Sequence, residues 1–136
     1  LGDPMLYSTF SYLVPLVKEA GAEVRSVPGV TSFSAAASAA LAPLAESDER
    51  VAVMPASAGD EEIRRMMGDF DSVVLMKAGK SLDRIICLAL SLGVADASVF
   101  ASRVGWKDEE VVRGIGKLKG RKAGYFSMVI LRKARP

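Results

Sequence analysis

Between residues 50 and 92 the chain alternates between two apolar patterns, and that alternation restricts the fold more than any other feature. "RVAVMPAS" (50–57) is short and suited to a strand. "DEEIRRMMGDF" (60–70) reads as a helix, with acidic residues in its first turn and basic ones after them, as the helix dipole favours. Asp60 is the expected N-cap. "SVVLM" (72–76) is continuously apolar, as a buried strand is, and "SLDRIICLALSL" (81–92) reads as a second helix, ended by Gly93. Such an order implies an α/β sheet. "ASVFASRV" (97–104) and "EEVVRGI" (109–115) add two strands around a "GWKDE" turn, and "GYFSMVILR" (124–132) adds another. Residues 46–136 are therefore expected to form a complete α/β domain with a mixed sheet of about five strands.

The front of the chain reads differently. Phe10, Leu13, Val14 and Val17 make the stripe of an amphipathic helix over 8–20, stopped by Gly21. Pro15 predicts a bend or a restart within it. "AEVRSVP" (22–28) predicts a short strand, and "TSFSAAASAALA" (31–42) a helix capped by Thr31 or Ser32. The polar "APLAESDER" (42–50) is the expected domain boundary. Residues 1–45 alone would leave apolar faces uncovered, so they are expected to be the C-terminal part of a first domain. A Leu1 start, with a Gly-Asp-Pro turn and no strand before it, leads to the expectation that the chain is the back part of a larger enzyme.

Composition narrows the chemistry. The chain has no histidine and one cysteine, which excludes Ser-His-Asp triads, Cys-His pairs and nearly every common zinc site. No metal site is expected. Cys87, inside "RIICLALSL", reads as a small buried hydrophobe. No apolar run reaches the ~18 residues of a membrane span, and no signal peptide is visible, so a cytoplasmic protein without membrane contact is expected. Residues 1–102 carry 8 Lys and Arg against 13 Asp and Glu, whereas 103–136 carry 10 against 3. That basic end is either a solvated face or an attraction for an anionic ligand. Aromatic residues are not regularly interleaved among the basic ones, so nucleic acid is not the expected partner.

Two turns hold the remaining information. Gly2 and Pro4 tighten a turn leading into a helix, with Asp3 and Tyr7 four residues apart across it. "PGVTS" (28–32) is a second turn leading into a helix N-terminus. From spacing alone each is compatible with an ordinary strand-to-helix connection. Together they suggest a ligand crevice at the C-terminal edge of a sheet.

"LGDPMLYSTFSYL" followed by "VPGVTSFSAAAS" resembles the tetrapyrrole (corrin/porphyrin) methyltransferases. Tyr7-Ser8-Thr9, the Ser32-Phe33 pair and the late "YFSMVILR" look most like the precorrin-2 C(20)-methyltransferase branch. The resemblance implies a two-domain class III methyltransferase architecture whose first strands and glycine-rich loop precede Leu1. It implies S-adenosyl-L-methionine as cofactor and methyl transfer to carbon 20 of precorrin-2, or its cobalt form, in cobalamin biosynthesis. It places Gly2, Asp3 and Pro4 beside the cofactor, Tyr7 near the cleft floor, and Thr31 and Ser32 as hydrogen-bonding groups. Met76 would lie over the adenosyl group, and Phe126 and Ser127 would contribute from the last strand. Lys77 stands where other branches often have glycine. No catalytic base is assigned, with Asp3 and Tyr7 only nominal candidates. The family tends to form homodimers. The alternatives are another branch of the family, or a non-catalytic fragment or dimerisation module.

Overall fold

Five strands form one mixed sheet in the order β1-β2-β5-β3-β4: β1 Val51–Pro55, β2 Ser72–Met76, β3 Val99–Ser102, β4 Glu110–Arg113 and β5 Ser127–Arg132. The computed structural model describes residues 2–134; Leu1, expected at the end of a strand, lies outside them. β1 and β2 are parallel. β5 is antiparallel to both β2 and β3, which therefore run the same way and end at one edge of the sheet. The register places Met76 opposite Met128 and Ser102 opposite Ser127, so the C-terminal ends of β2 and β3 flank the start of β5.

Alternation along β5 explains the layers. Val129 and Leu131 point to one face, where they join Val73, Leu75, Phe100 and residues of two helices, α3 (Asp60–Asp69) and α4 (Leu82–Ser91). Met128 and Ile130 point to the other, where Ala36, Ala37 and Ala40 of α2 (Ser32–Ala39) and its C-cap meet Val74, Val99 and Ala101. Alanines let α2 approach the sheet closely. Each large side chain buried in the first layer contributes roughly 1.5–3 kcal/mol relative to exposure, so that layer is the larger source of stability.

Arg132 at the end of β5 ties the 42–50 segment to the sheet. Its guanidinium donates to Glu49 at 2.7 Å and to Ser72 Oγ at 3.3 Å, and it also reaches the Pro43 carbonyl.

Four expectations need correction. α1 (Phe10–Glu19) continues through Pro15 and does not restart there, and none of its residues is buried. Residues 22–30 are not a strand, because a strand requires a paired neighbour and none of the described residues offers one. Asp60 is the first helical residue of α3 rather than its cap; Gly59 holds that position, and Asp60 pairs with Arg84. Cys87 is exposed, because Ile85, Ile86, Leu88 and Ala89 occupy the sheet-facing side of α4 and leave position 87 outward.

Candidate functional site

The Gly-Asp-Pro turn and the Pro-Gly turn meet. Asp3 is the joint: its Oδ2 accepts the Gly29 N–H at 3.0 Å and its Oδ1 accepts the Met5 N–H at 2.8 Å. These two bonds, the Gly29 one foremost, hold its carboxyl below the usual carboxylate range. The approach is close enough to require glycine. A Cβ at Gly29 would lie 2.4 Å from the Gly2 carbonyl oxygen, and Gly2 itself has a left-handed φ of +83°.

Beside this joint, at the sheet edge where β2 and β3 end, lies a cavity of about 450 Å³. That is within the ordinary range for small-ligand sites. The front of the chain contributes Gly2, Asp3 and Tyr7 to its wall. The second turn contributes Thr31 and Ser32. Thr31 also caps α2: its Oγ1 accepts the Ser34 N–H at 3.3 Å and lies 2.8 Å from Ser34 Oγ. The sheet contributes Met76 and, across from it, Met128. Ser127 is buried and donates to the Gly124 carbonyl at 2.7 Å, and Phe126 completes the rim next to it. Seven of the eight residues expected at a cofactor site thus share one cavity. Pro4 shapes the turn without lining the cavity.

Sequence reasoning missed the other side of the wall. Arg103, Trp106 and Tyr125 line the same space. The Trp106 and Phe126 rings are 5.4 Å apart, and Tyr125 meets Phe126 edge-on at 5.3 Å, so a continuous aromatic surface borders the opening. The signal available was the basic, aromatic-bearing end of the chain, but nothing in the residues showed that the 103–106 turn folds toward the front motifs.

Backbone strain gathers here as well. Among the described residues five non-glycines have positive φ, and three of them line this cavity: Tyr7 at 50°, Lys77 at 59° and Arg103 at 49°. Such conformations cost on the order of 1–3 kcal/mol and cluster at functional sites.

The chain is similar to known proteins along most of its length. The family model described as Tetrapyrrole (Corrin/Porphyrin) Methylases matches residues 1–118. A probable cobalt-precorrin-2 C(20)-methyltransferase of Methanocaldococcus jannaschii is 36% identical over 123 residues, covering 87% of this chain and 48% of that protein. A precorrin-2 C(20)-methyltransferase of Sinorhizobium sp is 30% identical over 131 residues, covering 96% of this chain and 52% of that protein. The uroporphyrin-III C-methyl transferase of Thermus thermophilus, solved in complex with S-adenyl homocysteine, shares the fold with a TM-score of 0.67 and 22% identity, over 97% of this chain and 63% of its own. The chain spans about half the length of the curated relatives it matches. It belongs to the tetrapyrrole (corrin/porphyrin) methylase family.

Proposed function

We propose that this chain provides the cofactor cleft for S-adenosyl-L-methionine-dependent methyl transfer to carbon 20 of precorrin-2, or its cobalt form, in cobalamin biosynthesis. The observation that carries the reading is the Asp3 joint. It brings both family turns to one cavity together with the ends of β2 and β5. The carbon-20 assignment draws on the two relatives named for that reaction.

The residues fit the cofactor chemically. A sulfonium ligand is suited by electron-rich, uncharged neighbours, and Met76, Met128 and the backbone around Gly2 and Val30 offer thioethers and carbonyls. A heteroaromatic ring is suited by flat apolar walls, which Phe126 and Trp106 offer. The proposed cofactor-binding residues are Gly2, Asp3, Pro4, Tyr7, Thr31, Ser32, Met76 and Ser127, with Pro4 acting through the turn.

Bound S-adenosyl-L-methionine supplies an activated methyl group and its own leaving group. The protein's part is therefore alignment and water exclusion, which can lower a barrier by roughly 7–11 kcal/mol. Asp3 fixes the distance between the two turns. Thr31 and Ser32 present hydroxyls and amides at the start of α2, and Met76 and Met128 form an apolar floor. In this reading residues 1–45 end a first domain and residues 46–136 form a second, with the cleft between them. A homodimer and a cytoplasmic location complete it, the former drawing on the apolar side chains of Tyr12, Leu16 and Leu41 that stand exposed.

Calorimetric titration with S-adenosylhomocysteine tests the proposal. Saturable one-to-one binding, lost in Thr31→Val combined with Ser32→Ala, is the expected result. A parent chain that takes up no S-adenosylhomocysteine overturns the cofactor assignment.

A further inference from the structure

Two cations stand in mirrored positions at the mouth of the cavity. Lys77 directly follows the last residue of β2, and Arg103 directly follows the last residue of β3. β5 lies between these strands, so the two backbone positions are separated by two strand spacings, roughly 10 Å. Both adopt left-handed φ, an uncommon conformation for long side chains. Both are anchored to the start of β5: the Arg103 N–H donates to the Phe126 carbonyl, and the N–H of Ala78, next after Lys77, donates to the Ser127 carbonyl, each at 2.9 Å.

Among the described residues the two charges are answered unequally. Asp3 is the one carboxylate on the wall among the described residues, and backbone N–H groups engage both of its oxygens. Arg103 Nε lies 2.7 Å from Asp108 Oδ2 and donates to the Asp108 carbonyl at 3.3 Å. Lys77 pairs with no carboxylate among the described residues. Its Nζ stands instead 6.0 Å from the Tyr7 ring and 5.7 Å from the Tyr125 ring, between a residue of the front turn and one of the loop before β5. Two aromatic faces hold the ammonium at the opening without neutralising it.

Resting on the function proposed above, we propose that Lys77 and Arg103 form a two-pronged clamp for carboxylate groups of the methyl acceptor. The exposed Tyr125 ring at the same mouth would then face the ring system. Lys77 is the specificity-determining member, because among the described residues its ammonium has aromatic partners and no carboxylate. The acceptor class is a flat or saucer-shaped macrocycle bearing several carboxylates, gripped at two of them on one edge.

The test uses this chain, with uroporphyrin III as the polycarboxylate probe and S-adenosylhomocysteine as the cofactor probe. Porphyrin binding is followed by quenching of Trp106 fluorescence, and S-adenosylhomocysteine binding by calorimetry. Lys77→Met is expected to weaken porphyrin binding about tenfold, and Lys77→Arg to restore most of it. Lys77→Gly is expected to lose affinity equally while raising the melting temperature, because it relieves the positive φ. A purely structural lysine would not separate the two readouts in this way. In Lys77→Met and Lys77→Gly porphyrin affinity should fall by more than S-adenosylhomocysteine affinity does, and the salt dependence of porphyrin binding should flatten in both. Unchanged porphyrin affinity in Lys77→Met and Lys77→Gly overturns the clamp, as does a parent that binds no porphyrin. A parent that binds porphyrin through Lys77 but not S-adenosylhomocysteine upholds the clamp and refutes the cofactor assignment.

Discussion

Asp3 does its work as an ionised side chain. Its two oxygens receive N–H donors from residues 26 positions and 2 positions away, so one carboxylate sets both the local turn and the tie to the second turn. Asp3→Ala removes both acceptors, so the two turns lose their tie and S-adenosylhomocysteine binding is expected to weaken, read by calorimetry. The sign of the pH effect follows from the lowered pKa. The tie is complete above the ordinary carboxylate value, near pH ~4, and is lost as pH falls through the still lower folded value. With no histidine in the chain, affinity measured from about pH 5 to 8 should be flat. A titration midpoint inside that window would show that another group controls the site. Gly29→Ala tests the same joint sterically. Its new methyl would sit 2.4 Å from a backbone oxygen, so the turns must part and binding should fall even though the Asp3 carboxylate remains.

At the scale of elements, Arg132 shows how a strand can organise a loop. It is almost buried, and its guanidinium holds the segment from Pro43 to Glu49 against the end of β5. Arg132→Met is expected to cost about 2–3 kcal/mol in urea unfolding, below the usual cost of breaking a fully buried pair because Glu49 is a quarter exposed. Double substitution with Glu49→Gln should recover part of that loss. Elements of this kind differ in how far their residues announce them. "SVVLM" is legible because five consecutive apolar or small residues between polar ends suit a strand covered on both faces, and β2 occupies that span. "AEVRSVP" carries a similar local pattern and forms no strand, because pairing is decided by distant partners rather than by propensity. Thr31 was legible as a cap because capping is local. The placement of Arg103 and Trp106 on the cavity wall was not, since a turn residue reaches it only through the register of β3 with β5.

Over the whole molecule the two ends of the chain are held unequally. The sheet has helices on both faces, whereas α1 buries none of its residues and Tyr12 is 77% exposed. Hydrogen exchange should therefore find the amides of 10–19 nearly unprotected and those of β2, β5 and β3 the slowest. Adding S-adenosylhomocysteine should raise protection chiefly at 2–7 and 28–35; protection gained only in the sheet would place the ligand elsewhere. The strand order also bears on how the protein is made. β5 follows the other four strands in the chain yet occupies the middle of the sheet. While the chain emerges from the ribosome, the β1-β2 pair and the β3-β4 hairpin each present an open hydrogen-bonding edge, and only β5 can fill both. Nascent chains stalled before Ser127 should thus be the aggregation-prone and chaperone-dependent ones, and release of the final strand should trigger closure of the two halves in a single step.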